Sequence, residues 1–195
     1  MTEKEKIILD GIFARRSVRH FIDDRQVEKT KIRKLLEAGM AAPSACNLQP
    51  WEFVVVSEKD EVSQLVSMAQ NGKYNVPLAM IICANTKNIP WGGNGWMIDC
   101  SAAVQNMLIA ATAMGLGSVW IGGYNEGDIR KFFNIPDHIQ ILSIVYFGYP
   151  APDETVPAGT RYTDDAVFWG KYDPNRKRIM RTMEMLGDLS VKDPL

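Results

Sequence analysis

The sequence predicts an α/β domain in which helices cover a buried sheet. Three observations carry that expectation. Apolar runs at 53–56, 78–84 and 139–147 are almost continuous, as strands are when both faces of their sheet are covered. Between them lie stretches with apolar residues at i, i+3, i+4 and i+7, the mark of a helix with one buried stripe. One further stretch, 97–114, is apolar almost all round, so it belongs inside the fold.

Bulk properties narrow the function. A chain of 195 residues, 46% hydrophobic and 23% charged, can bury a core as one domain without covalent staples. A single domain over 1–195 is expected, with 171–195 a tail packing on the body or on a partner subunit. The net charge of −1 gives no reason to expect nucleic acid or an anionic membrane as partner. The opening MTEKEKIILDGIF carries too short an apolar run and too many acids for a signal peptide, and no run approaches a membrane span. A cytoplasmic location is therefore expected. Cys46, Cys83 and Cys100 are widely spaced and form no CxxC pair, so neither a disulfide framework nor a zinc site is suggested. His20 and His138 are too few for a histidine-rich metal site. A Ser-His-Asp hydrolase lacks its G-x-S-x-G elbow.

Along the chain, 3–14 is a helix with Ile7, Ile8, Ile12 and Phe13 on one side, ending before the cationic loop Arg15, Arg16, Ser17, Val18, Arg19. That loop reads either as a solvated basic turn or as an anion site, because the arginine fork matches phosphate oxygens in pairs and a serine hydroxyl adds a further contact. Residues 29–40 repeat the helical spacing with Ile32, Leu35, Leu36 and Met40, and Pro43 stops it. A stiff polar loop follows between Pro43 and Pro50, holding Ser44, Ala45, Cys46, Asn47 and Gln49. Residues 51–56 form a strand. Val62, Leu65, Val66 and Ala69 mark another helix, and 78–84 a second buried strand. The stretch 85–96, NTKNIPWGGNGW, breaks all periodicity, and its Trp91 and Trp96 make it a candidate lid or substrate wall. After the helix over 97–114, residues 117–121 form a third strand meeting Gly122, Gly123 and Tyr124, where paired glycines allow a ligand to approach the backbone. The run GLGSVWIGG is no dinucleotide fingerprint, since it follows a helix and leads into a strand. A short helix over 128–133 and a strand over 139–147 complete the body. Beyond Pro150 the chain is expected to cross the surface until Val167, Phe168 and Trp169 reach an apolar site, with a last helical stripe over 176–189.

Taken together, the segments RRSVRHF (15–21), AAPSACNLQPWEFVVV (41–56), DCSAAVQNMLIAATAMGLGSVWIGG (99–123) and Arg161 ahead of Val167-Phe168-Trp169 resemble the FMN-dependent nitroreductase family over about residues 10–170. The first two segments are specific in combination. The resemblance implies an α/β sandwich on a mixed central sheet, flanked by helices and built as an intertwined homodimer with two FMN sites at the subunit interface. It implies that Arg15 and Ser17, with Arg16 beside them, meet the FMN phosphate, that Arg161 returns to it, and that Arg19 lies near the flavin pyrimidine edge. Pro43, Ser44, Ala45, Asn47 and Gln49 would reach the flavin from the other subunit, and the backbone at Ile121, Gly122 and Gly123 would pass the N5 side. Trp91, Trp96 and Tyr124 are candidates to line the substrate site, and Asn71 and Lys73 for further flavin contacts. Classical members carry a lysine two residues before the late arginine; here that place is Gly159.

No residue of the protein has to act as nucleophile in such chemistry, because flavin N5 carries it. The implied activity is hydride transfer from NADH or NADPH to a nitroaromatic, quinone or similar conjugated acceptor by a ping-pong cycle, with a small aromatic acceptor as the partner molecule. The same fold also admits reductive dehalogenation, flavin breakdown, or a non-catalytic flavin-binding or redox-sensing role.

Overall fold

Strand β2 (Leu78–Asn85) organises the molecule. Its residues are buried along almost the whole length, and alternate side chains go to opposite faces of the sheet, as the two-residue period of a strand requires. Leu78, Met80, Ile82 and Ala84 enter one apolar cluster, while Ala79, Ile81 and Cys83 enter a second. The computed structural model describes residues 1–87, 89–90, 93–154 and 166–176. The chain divides into two units, Met1–Pro157 and Ala158–Leu195.

In the first unit the elements run α1 (Glu3–Ala14), α2 (Lys29–Met40), a 3-10 turn (Ala45–Asn47), β1 (Trp51–Val56), α3 (Lys59–Ser67), β2, α4 (Gly95–Ala113), β3 (Gly117–Ile121), α5 (Glu126–Phe133) and β4 (Ile139–Gly148). The strands form one sheet in the order β1-β2-β4-β3, each neighbouring pair antiparallel. The sheet is therefore antiparallel and not mixed as expected; among the described residues the parallel pairing is an isolated bridge from Ser17, outside the four strands, to Ser118. Helices α2 and α4 cover one face through Leu35, Cys100, Ala103, Val104 and Met107. Helices α3 and α5 cover the other through Val62, Leu65 and Ile129. The result is an α+β sandwich with a core on each side of its sheet.

Strand β4 shows how an unbroken apolar run is divided between two cores. Ile139 and Ile141 face the α3–α5 side, and so do Ile144 and Tyr146, although the residue parity differs. A bulge resolves this: the register shifts between Ile82 and Cys83 of β2, which pair with Ser143 and Ile141, so Leu142 is the extra residue. Strand β1 departs from the expectation that both its faces are covered. It lies at the sheet edge and Val55 stays 38% exposed.

Helices α2 and α4 cross closely. A Cβ at Gly39 would stand 3.0 Å from Met107 Cγ and Sδ, and the Asn106 side-chain amide donates to the Ala38 carbonyl at 3.1 Å. Helix α1 differs, since Thr2 and Glu5 cap it in a reciprocal pair but none of its residues is buried. It lies against α4 with Phe13 65% exposed. In the second unit Phe168 packs its ring on Tyr172, with centroids 4.5 Å apart, whereas Trp169 is exposed instead of reaching an apolar site. The stripe predicted over 176–189 falls, apart from Arg176, outside the described residues.

Burial sets an alkaline limit on this fold. It pushes the thiols of Cys83 and Cys100 from 9.0 up to about 12 and the Tyr124 phenol from 10.0 up to about 12, with Glu52, Asp99 and Glu126 adding repulsion in turn. Each folded-state value lies above the unfolded one, so the unfolded chain gives up these protons first as pH rises. The stability they contribute is complete below pH 9 and is lost between about pH 9 and 12. Denaturant midpoints should fall across that window, and Cys83→Ala with Cys100→Ala should flatten the fall; an unchanged slope would contradict the assignment.

Candidate functional site

The cationic loop is laid down as an extended arm across the start of β3 and the end of β4. Val18 N donates to the Ser118 carbonyl at 3.0 Å, Ile22 N to the Tyr149 carbonyl at 2.9 Å, and Ala151 N to the His20 carbonyl at 3.0 Å. Two glycines allow the approach. Gly117 and Gly148 are direct partners across the β3–β4 ladder, and both lie under the arm. A Cβ at Gly117 would meet Val18 Cγ1 at 2.6 Å, and one at Gly148 would meet Phe21 Cδ1 at 2.8 Å. The arm is fastened further along by Tyr149, whose hydroxyl accepts from Lys31 Nζ at 2.8 Å and donates to Glu28 Oε2 at 2.6 Å. That bond to Tyr149 is the main reason the Glu28 carboxyl is held below its usual range. Arg25 stacks on the same ring at 3.3 Å, and Lys31 Nζ reaches the Met114 carbonyl beyond the end of α4 at 2.9 Å.

This backbone presents its arginines differently. Arg16 turns back onto α1, its Nη1 donating to the carbonyls of Phe13 at 2.5 Å and Arg15 at 2.7 Å. Arg19 Nη1 donates to the Ser17 carbonyl at 3.1 Å, and its backbone amide to Glu154 Oε1 at 3.0 Å. The Arg15 side chain, half-buried, has no hydrogen-bond or ion-pair partner among the described residues. An arginine fork with its donors unused has the geometry to take a bidentate anion.

The polar loop is built at another corner. Ala45 N donates to Asp99 Oδ1 at 3.1 Å, Gln49 N to Ser44 Oγ at 3.0 Å, and Gln49 Nε2 to Asn47 Oδ1 at 2.9 Å. Ser44 keeps its hydroxyl proton free to donate outward. Cys46, Asn47 and Gln49 have φ of 50°, 57° and 49°. For residues with a Cβ that left-handed geometry costs roughly 1–2 kcal/mol each, least for asparagine. Asp99 is the site residue that the sequence reading missed. It is the one acid in the apolar stretch 97–114, and that isolation was the available signal.

A third group sits where β3 ends. The chain after α3 runs beside it: Gln70 N donates to the Gly123 carbonyl at 3.0 Å and Ala69 pairs with Tyr124. A Cβ at Gly123 would find Gln70 Oε1 at 3.2 Å and Asn71 Nδ2 at 3.4 Å, so Asn71 stands at this edge. Gly122 is exposed and a Cβ there would meet nothing within 4 Å. Ile121 is buried, and its Cδ1 lies 2.5 Å from the place of a Cβ on Gly72. Tyr124 turns inward, its hydroxyl donating to the Ile141 carbonyl at 2.8 Å. Trp96 is in the first turn of α4 and 8% exposed, a core residue within this chain. Arg161 and Trp91 lie outside the described residues.

The arm and the polar loop occupy diagonally opposite corners of the sheet. The loop leads into edge strand β1, where Asn85 N of β2 donates to the Pro50 carbonyl, at the end of the sheet where β4 starts, whereas the arm crosses the far end of β4 next to β3. Strand geometry separates them by about 25–30 Å along β4 and about 14 Å across the sheet. One chain does not bring them together.

These layers, with this arm, define an α+β sandwich of the nitroreductase fold. The model of the Nitroreductase family matches residues 12–76 and 67–149. A protein of Archaeoglobus fulgidus with the provisional name NADH dehydrogenase/NAD(P)H nitroreductase is 36% identical over 171 residues, covering 84% of this chain and 98% of its own. The crystal structure of a Parabacteroides distasonis protein with the same provisional name is 37% identical with a TM-score of 0.74, covering 85% of this chain and 98% of that one. A provisionally named nitroreductase from Desulfovibrio desulfuricans, solved in complex with FMN, is 25% identical with a TM-score of 0.73, covering 85% and 98%. The chain belongs to the nitroreductase family.

Close packing of the arm makes one glycine decisive. Gly117→Ala forces Val18 off β3 and should cost about 1–3 kcal/mol in denaturant unfolding, with faster exchange of the Val18 amide. A Gly117→Ala protein as stable as the parent would contradict the packing.

Proposed function

We propose that this chain is an FMN-dependent oxidoreductase, acting as a homodimer, that takes hydride from NADH or NADPH and reduces a nitroaromatic, quinone or similar conjugated acceptor. The observation that carries this reading is the diagonal separation of two conspicuous polar groups in a chain of this family. Neither corner alone surrounds a flavin. A second copy brings the polar loop of one chain to the arm of the other, and two equivalent sites result.

The residues suit FMN. Arg15 offers a free fork and Ser17 a hydroxyl to a phosphate of charge about −2. From Ser118, beside Ser17, to Gly122 is four strand residues, about 13 Å, a span matching an extended ribityl phosphate and the near part of its ring. Open backbone at Gly122 leaves room for a flat ring, with Gln70 and Asn71 at its edge. Ser44 and Asn47 of the second copy would supply further polar contacts. Arg19 would favour negative charge at the pyrimidine edge. When bound, FMN supplies the hydride relay through N5. The protein binds, orients and excludes water.

A second copy would also cover apolar surface that is otherwise wet. Ile7, Ile8 and Phe13 of α1 and Ile98 of α4, the last 74% exposed, lie on adjacent helices. Leaving them in water opposes the hydrophobic effect, which amounts to about 25 cal/mol per Å².

The test is direct. Purified protein should show flavin absorption, or gain it on titration with FMN, and should oxidise NADH or NADPH in proportion to a nitroaromatic or quinone consumed. Arg15→Ala should raise the FMN dissociation constant at least tenfold, the scale of a lost charged hydrogen bond, and make binding less sensitive to salt. Failure to bind FMN would overturn the reading; binding without turnover would leave a flavin-holding protein.

A further inference from the structure

Asp99 is the one charged side chain among the described buried residues, 7% exposed on a helix that is otherwise apolar inside. Burying a carboxylate carries a desolvation penalty that a neutral residue would avoid. Helix electrostatics do not account for it, because Asp99 lies beyond the first turn of α4, where the favourable end of the dipole has faded. Nor does an ion pair, since none involving Asp99 is present among the described residues. Its contact is with the Ala45 amide, 3.1 Å from Oδ1. Ala45 opens the 3-10 turn, immediately before the left-handed residues Cys46, Asn47 and Gln49. Three side chains in a disfavoured backbone region persist only where surrounding contacts over-determine them. Most of those contacts are inside the loop and move with it: Ser44 Oγ to Gln49 N, and Asn47 Oδ1 to Gln49 Nε2. Asp99 is the side chain that ties the 3-10 turn itself to α4, while the bond from Asn85 N to the Pro50 carbonyl fastens the far end of the loop to β2.

We propose that Asp99 is the positioning residue of the flavin site: from inside α4 its carboxylate holds the Ala45 amide, and thereby sets the conformation in which Ser44 and Asn47 are offered to FMN on the neighbouring subunit. The inference rests on the flavin reading above. A loop fixed in advance binds without ordering itself at the moment of contact, so loss of the anchor appears as lost affinity. Asp99 touches neither FMN nor substrate in this scheme and acts through the loop alone.

Two substitutions separate positioning from general stability. Asp99→Leu keeps the branched skeleton, at a larger volume, and removes the acceptor; it should raise the FMN dissociation constant on the order of tenfold while speeding exchange of the Ala45 amide in the FMN-free protein. Asp99→Asn keeps an acceptor oxygen in place without the charge, and should restore both to within a few-fold. If Asp99→Leu fails to fold, Asp99→Ser serves, since its hydroxyl falls one bond short of Ala45. Leucine or serine variants that bind FMN as tightly as the parent would overturn the proposal while leaving the flavin reading intact, as would an asparagine variant as weak as leucine. A parent protein that binds no FMN would overturn both, and shows itself before any variant is made.

Discussion

Helix α4 is the constraint on which the other parts depend. It is buried through Trp96, Cys100, Ala103, Val104, Met107, Leu108 and Ala111, and its small residues let α2 approach at Gly39. A rod of 19 residues spans about 28 Å at 1.5 Å per residue. Each end carries one part of the site. Near the N-terminus Asp99 holds the polar loop; beyond the C-terminus the chain turns through Gly115 into β3, where Gly117 receives the arm, and the Met114 carbonyl accepts from Lys31.

The length of this helix therefore sets the distance between the two corners, and the rigidity of the sheet preserves it. The proposed dimer makes use of that spacing. A site assembled inside one chain would need one corner to move, at the expense of the core; a site shared by two chains needs only that apolar surface on α1 and α4 be covered. The same economy appears locally, in backbone strain collected into Cys46, Asn47 and Gln49 and countered by contacts from Ser44 and Asp99.

Much of the fold was legible. The boundaries of α2, β1 and β3 follow from periodicity and from punctuation by Pro43, Pro50 and Gly122, because these elements obey local rules. The start of α4 was less so: Trp96 reads as part of a glycine-rich loop, yet tertiary burial pulls it into the first helical turn. The bulge at Leu142 had no signal, since in the run IQILSIVYF every neighbour is apolar and parity cannot be read. For the site, sequence supplied the arm and the loop as separate motifs. That Gly117 and Gly148 are partners beneath Val18 and Phe21 is a long-range fact of strand pairing, which no local pattern encodes. Tyr124, a candidate to line the substrate site by its place after a glycine pair, donates its hydroxyl to the Ile141 carbonyl, a long-range contact of the same kind.

Whether each flavin is held by the arm of one chain and the loop of the other is decided by subunit mixing. One protein carries Arg15→Ala with Ser17→Ala, and a second carries Ser44→Ala with Asn47→Ala, each binding FMN weakly alone. A heterodimer of the two contains one site with both parts intact and one with neither. One tightly bound FMN per heterodimer is expected. Heterodimers with no tight FMN would mean that arm and loop act within the same chain, and would contradict it.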